Sequence, residues 1–308
     1  MNRLAPSVIG IISDTHYWQR AEPIVTKEGA IQLQQWSETL LATLLDEMAS
    51  VGVTQIVHLG DVTCGGGTYD MPAADFVDTL ASLCRRFQES PIPVAVIPGN
   101  HDSWPGTGTM DAFSRIWAMP PGTGTTIDLP EARLVLLNSQ GHPAEILAAT
   151  PGGDPVFGWV NDAELARLDE ALATAGERPV LIFCHQLLHP WAGDREWRDF
   201  YGIANAAGVL EIIRRYGNTR AVFQGHAHRL DIQEVTLEPH RSTLFAVVPA
   251  IIEYPVAWVR LELSNDRAAM SLQRLPLPEL AEVSRDSGGG QGWRAGKPEW
   301  WNVSFPLR

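Results

Sequence analysis

The chain has 308 residues, 45% of them hydrophobic, and 23 Lys and Arg against 36 Asp and Glu, for a formal net charge of −13. That length and apolar content suit a folded protein of one large or two ordinary domains. The charge argues against a broad grip on a nucleic acid polymer or an anionic membrane, because such surfaces are built from Lys and Arg; a small anionic ligand stays open, since a local cation outweighs distant charge.

The first apolar run, residues 8–12, is too short for a signal-peptide core, and no later run reaches membrane-spanning length. Three cysteines (Cys64, Cys84 and Cys184) form no Cys-x-x-Cys pair, which fits a reducing compartment better than a disulfide framework. The expectation is a soluble cytoplasmic protein.

Short Val- and Ile-rich runs cut off by Gly, Asp, Asn or His predict strands at 7–13, 55–59, 93–97, 133–138, 179–184 and 220–224. Helical patterns lie between them. Ser37 is a candidate N-cap for a helix over 38–49, with Leu40, Leu41, Leu44, Leu45 and Met48 on one stripe. Residues 73–87, 162–175 and 208–216 show the same periodicity. Strand–helix alternation predicts an α/β fold with buried sheets. From about residue 231 four strands follow without a helix, at 231–237, 243–248, 256–263 and 268–275, which predicts a mostly antiparallel second sheet.

A C-terminal tail over 276–308 is set apart from the 1–275 domain by Pro276 and Pro278 and by Gly288-Gly289-Gly290. It carries four acidic and four basic residues, so the rest of the chain holds the whole −13. Trp293, Trp300 and Trp301 make it too apolar to hang free, so it is expected to dock on the core or to meet a second subunit in a homo-oligomer.

Chemistry collects at the strand ends. The predicted strands run into Asp14-Thr15-His16, Gly60-Asp61, Gly99-Asn100-His101-Asp102, His185 and Gly225-His226-Ala227-His228. Ligands in open α/β sheets gather at the carboxyl ends of strands. In an extended segment, Asp-x-His and His-x-His project both side chains to one side, so each pair can reach one ion or two adjacent ions. A set of Asp, Asn and three or four His without Cys suits Mn, Fe, Co, Ni or Zn better than Ca or Mg. Any one such residue is more often a cap or a solvated loop residue; five blocks at five strand ends are not.

In order and rough spacing, these blocks resemble the five motif blocks of the calcineurin-like metallophosphoesterases, over about residues 7–275. The resemblance implies a four-layer α/β/β/α sandwich of two mixed sheets and a catalytic domain over 1–275. It implies two divalent transition-metal ions, Mn, Fe or Zn, one held by Asp14, His16 and His228 and the other by Asn100, His185 and His226. Asp61 would bridge them. A bridging hydroxide would attack phosphorus. His101 would protonate the leaving group, and Asp102 would hold its other ring nitrogen.

Asp-Thr-His and Gly-Asn-His-Asp are most similar to the bacterial branch of cyclic-nucleotide phosphodiesterases and glycerophosphodiesterases. Protein phosphatases of the family carry Gly-Asp-x-Val-Asp-Arg-Gly and Gly-Asn-His-Glu, and purple acid phosphatases carry a Tyr where this chain has Cys64. The expected activity is a phosphodiesterase on a small soluble phosphate ester. A phosphomonoesterase, a pyrophosphatase of nucleotide conjugates and a non-catalytic metal scaffold are the alternatives.

Cys64, Trp18, Trp104, His189 and Trp191 are candidate pocket residues, since strand-end loops form pocket walls. Cys64 is either a ligand or redox group beside the first metal, or a small packing residue. His58 is a core histidine that could also support the site. The 190–204 segment, with Trp191, Asp194, Arg195, Arg198 and Tyr201, reads as an insertion that could lid the site, with Arg195 or Arg198 meeting a phosphate oxygen. His142 and His240 carry no separable signal.

Overall fold

The computed structural model describes residues 6–308 except 20, 21, 23, 194, 239 and 240. Asp194 and His240 therefore lie outside the described residues. Two six-stranded mixed sheets dominate. The first runs, in spatial order, Asn302–Pro306, Arg267–Arg274, Ala257–Leu263, Ser7–Ile12, Gln55–His58 and Val94–Val96. The second runs Asp231–Glu238, Arg241–Val247, Thr219–Gln224, Val180–Cys184, Arg133–Leu136 and Thr125–Asp128.

The layering follows from which faces are apolar. Ile9, Ile11, Val57 and Leu261 of the first sheet meet Leu134, Leu181, Phe183 and Phe223 of the second in a core between the sheets. Each such side chain contributes about 1.5–3 kcal/mol by leaving water. The central strands are therefore buried on both faces and read as unbroken apolar runs. Helices Ser37–Ser50 and Ala73–Gln88 cover the outer face of the first sheet through Leu40, Leu44, Phe76, Leu80 and Leu83. Helices Asp162–Ala175 and Ala206–Tyr216 cover the second through Leu168, Leu172, Val209 and Ile213. The result is a four-layer α/β/β/α sandwich.

Three expectations change. The strands after residue 231 do not build a sheet of their own. The first two extend the second sheet, with Arg241–Val247 parallel to Thr219–Gln224. The next two extend the first, where Ala257–Leu263 runs antiparallel to Ser7–Ile12. Ser37 does not cap its helix: it lies in the first turn and its hydroxyl donates to the Gln34 carbonyl. The Asp14-x-His16 and His226-x-His228 pairs are not extended: all four residues have positive φ.

The 276–308 segment lies on the same body. It starts with helix Pro278–Arg285 and ends in strand Asn302–Pro306, which pairs with Arg267–Arg274 at the edge of the first sheet. Phe305 and Leu307 enter the core between the sheets, and Trp300 and Trp301 pack against it.

Candidate metal centre

All five chemistry-bearing strand ends open onto one point. His228 Nε2 lies 3.3 Å from Asp14 Oδ1 and His16 Nε2 lies 3.9 Å from the same oxygen, while the two imidazole nitrogens are 3.2 Å apart. Asp61, His185 and His226 form a second group whose ligand atoms all lie within 4.8 Å of one another, as those of Asp14, His16 and His228 do. Asn100 Oδ1 joins the second group at 3.3 Å from His185 Nε2. One atom faces both groups: Asp61 Oδ2 is 3.6 Å from His16 Nε2 and 3.3 Å from His185 Nε2.

The Asp-x-His and His-x-His geometry is not the extended one expected from sequence. Asp14, His16, Asp61, His226 and His228 all have positive φ, between 38° and 64°. These residues lack the glycine freedom such backbone normally needs, and each position costs of order 1–3 kcal/mol. The side chains converge because the strand ends curl into left-handed turns. Two glycines allow the loops to close up. A Cβ on Gly99 would lie 2.2 Å from Asp61 Oδ1, and one on Gly225 would lie 2.1 Å from Ser13 Oγ.

The donor set fits cations. Among the described residues, Asp14 Oδ1 is buried with no hydrogen-bond partner, and so is His16 Nδ1. Buried carboxylate oxygens are rarely left so unless an ion takes the place of a donor. In the metal-free protein the charges balance differently. Burial opposes protonation of His185 and His228, but facing carboxylates outweigh it. Asp61 lifts His185 to about 9, and Asp14 with Glu253 lifts His228 to about 10. Burial pushes both Asp14 and Asp61 upward, yet His228 holds Asp14 well below the usual carboxylate range and His185 does the same for Asp61. Burial holds His16 and His226 at about 3, so both present neutral imidazoles.

Surrounding residues fix the orientation of the candidate ligands. His185 Nδ1 donates to the Leu59 carbonyl at 2.8 Å, and Asp61 Oδ1 accepts the His101 backbone N–H at 2.7 Å. Thr15, between Asp14 and His16, is 3.0 Å from His58 Nε2 and donates to the Val62 carbonyl. His58 is buried, held neutral at about 3 by burial, and accepts the Gly60 N–H at its Nδ1. It thus steadies the first and second loops through Thr15.

Several predicted roles are corrected. Asp102 does not hold the His101 ring. Its carboxylate accepts the backbone N–H groups of Val62, Thr63 and Gly99, and His101 Nδ1 donates instead to the Gly66 carbonyl at 2.8 Å. The one-turn 3₁₀ segment Asn100–Asp102 points neighbouring side chains in different directions. Cys64 is fully buried and its thiol donates to the His16 carbonyl. Burial, with Asp61 and Asp102 nearby, pushes that thiol well above its ordinary range in the metal-free protein, and Cys64 is in neither candidate ligand group.

The candidate pocket aromatics separate. A cleft of about 530 Å³ opens beside the centre, lined by His226, His228, Glu253, Trp191 and Trp293 among others. Trp191 lines this cleft. Trp18 instead turns towards helix Ala73–Gln88 and donates to Asp75. Trp104 packs edge-on against Phe76. His189 is held by Gln233 and the Phe245 ring. None of these three, nor Cys64, lines the cleft.

Sequence reasoning missed Glu253, Tyr69, Arg229, Trp293 and Arg294. Glu253 is buried, accepts the His228 Nδ1–H at 2.7 Å and the Gln32 amide at 3.2 Å, and pairs with the Arg294 guanidinium at 2.8 Å. Tyr69 sets its ring 4.8 Å from that of His101 and 5.1 Å from that of His16. Glu253 follows the buried run Ala250-Ile251-Ile252, so an acidic residue ending an apolar run was the available signal.

A family model, calcineurin-like phosphoesterase, matches residues 7–230. The chain is 30% identical over 174 residues to the 3',5'-cyclic adenosine monophosphate phosphodiesterase CpdA of Pseudomonas aeruginosa, covering 56% of this chain and 54% of that protein. It is 25% identical over 167 residues to the glycerophosphodiester phosphodiesterase GpdQ of Enterobacter lignolyticus, covering 52% of each. The chain thus spans about half the length of the curated relatives it matches. Among solved structures, a dimetal phosphatase from Danio rerio superposes with a TM-score of 0.69 at 17% identity, over 87% of this chain and 96% of that one. At that identity the likeness is one of fold.

Proposed function

The chain belongs to the calcineurin-like phosphoesterase family, and from that membership we propose that it hydrolyses small phosphoric esters at a two-metal centre. The favoured substrates are soluble phosphodiesters of the cyclic-nucleotide or glycerophosphodiester kind, the classes named for its relatives. The observation that carries this reading is the position of Asp61 Oδ2 between His16 Nε2 and His185 Nε2. A single carboxylate oxygen facing two imidazole-rich groups is the arrangement a bridging ligand requires.

Asp14, His16 and His228 would hold one ion; Asn100, His185 and His226 would hold the other, with Asp61 shared. Such a pair, of Mn, Fe or Zn, supplies electrostatic stabilisation of phosphoryl oxygens and acidifies water near neutral pH. The chain's own residues do the rest. Glu253 fixes the tautomer of His228 through Nδ1, and the Leu59 carbonyl does the same for His185. The Gly66 carbonyl orients the His101 ring and leaves its Nε2 to give a proton to the departing alkoxide. The His101 backbone N–H meanwhile steadies the shared carboxylate.

The test is a hydrolysis panel of cyclic nucleotides, glycerophosphodiesters, nucleotide sugars and bis- and mono-p-nitrophenyl phosphate, run on metal-analysed protein. Turnover of a diester above the corresponding monoester supports the reading. A metal-loaded protein inert on every ester overturns it in favour of a non-catalytic scaffold.

A further inference from the structure

The cleft beside His226 and His228 is cationic in a molecule whose net charge is −13. Arg195 and Arg198 come from the 190–204 loop, Arg229 from the residue after His228, and Arg294 from the C-terminal segment. Three of these guanidinium groups surround one ring. The central carbon of Arg195 lies 3.5 Å from the centroid of Trp293, that of Arg294 4.6 Å and that of Arg229 5.4 Å. The indole face offsets part of the repulsion among them; of the three glutamates that also line the cleft, Glu28 and Glu196 are exposed, Glu196 lying 3.7 Å from Arg198, and only Glu253 is buried. Glu253 is taken up by His228 and Arg294, and Asp231 accepts from the Ala192 and Gly193 backbone and from Arg229 Nη2.

A second, independent observation points to a ligand. Arg229 is only 6% exposed, yet its Nε and Nη1 have no hydrogen-bond partner among the described residues. Trp293 Nε1, which lines the same cleft, has none among them either. Buried donors with no acceptor are costly, more so on a charged group. An oxyanion seated between Arg229 and Trp293 would meet these unpaired donors, in the forked geometry guanidinium groups offer to phosphate.

We propose that this cleft binds a second phosphoryl group of the substrate, held by Arg195, Arg229 and Trp293 while the scissile phosphoryl group sits at the metal centre. The substrate class is then a diphosphate-linked or otherwise doubly phosphorylated small ester. The choice of scissile group rests on the proposed function; the second anion site does not.

The experiment uses inorganic pyrophosphate and the full chain. By calorimetry, chelator-treated wild-type protein is expected to bind pyrophosphate. Arg195→Gln, at an exposed position that spares folding, should weaken binding about tenfold or more, and Arg229→Lys should do likewise. In metal-loaded protein, Arg195→Gln should lower kcat/KM for a nucleoside diphosphate conjugate at least tenfold more than for bis-p-nitrophenyl phosphate. Absence of pyrophosphate binding in the wild type, equal binding by the Arg195→Gln variant, or an unchanged ratio of kcat/KM overturns the proposal. If pyrophosphate binding depends on Arg195 but no ester is hydrolysed, the cleft stands and the proposed function fails. If diesters are hydrolysed and the ratio is unmoved, the cleft alone fails.

Discussion

Glu253 accepts the Nδ1–H of His228 at 2.7 Å, and the same carboxylate oxygen lies 2.8 Å from an Arg294 guanidinium nitrogen. The C-terminal segment therefore reaches the candidate metal centre through one buried carboxylate. Burial pushes that carboxyl up, but His228 and Arg294 outweigh it and keep it below the ordinary range, so it faces His228 as an anion. Glu253→Gln keeps the shape and removes the charge. Loss of such a partner to a ligating histidine typically costs 10–100-fold in metal affinity. Metal titration of the variant should show that loss at one of two sites; two sites of unchanged affinity would contradict the role given to Glu253.

His101 and Asp102 are neighbours with different jobs, and their variants should differ in kind. His101→Ala is expected to keep both metals and to lower kcat by about 10²–10⁴-fold. Asp102→Ala strips the acceptor from three backbone N–H groups. At about 1–3 kcal/mol for each orphaned buried donor, it should lower Tm markedly before any effect on chemistry is read. Thermal melts beside metal counts separate the two; loss of metal in His101→Ala, or an unshifted Tm in Asp102→Ala, goes against this assignment.

Cys64→Ser should leave metal content, turnover and peroxide sensitivity as they are in the wild type. A serine hydroxyl can still donate to the His16 carbonyl that the thiol reaches. A changed metal count or a gain in peroxide resistance would show that the sulfur does more than pack.

The metal-free protein should be most stable near pH 6.5. His185 and His228, raised to about 9 and about 10, contribute stability that is complete below the ordinary histidine value and is lost as pH rises through the raised values. His16, His58 and His226, lowered to about 3 by burial, contribute stability that is complete above the ordinary value and is lost as pH falls. Asp102 runs against these three as a single group, because burial and the Asp61 charge lift it to about 7. Melts of chelator-treated protein from pH 5 to 10 test the sign. A Tm that climbs from pH 7 to 9 is the opposite result.

Much of this site was legible because each ligand candidate ends an apolar strand, and strand ends in an α/β fold share one edge. Asp14, Asp61, Asn100, His185, His226 and His228 could be placed without a structure for that reason. Glu253, Tyr69 and Arg294 could not, because they come from segments whose approach depends on tertiary packing. Adjacency misled at Asp102, where a 3₁₀ turn sends its carboxylate away from the His101 ring. It misled again at His189, four residues after His185, which turns to Gln233 and Phe245. The strand Asn302–Pro306 was also missed, since a five-residue edge strand ending in Pro carries little pattern. Burial of Cys64 likewise depends on the fold, not on its Gly-rich neighbours.

The proposed function turns on Asp61 as the carboxylate shared by two metal ions. Elemental analysis of purified wild-type and Asp61→Ala protein, each reconstituted with Mn²⁺, tests it most directly. Two ions per wild-type chain are expected, with binding lost at both sites in the variant. Two ions per chain in Asp61→Ala, held as tightly as in the wild type, would contradict it.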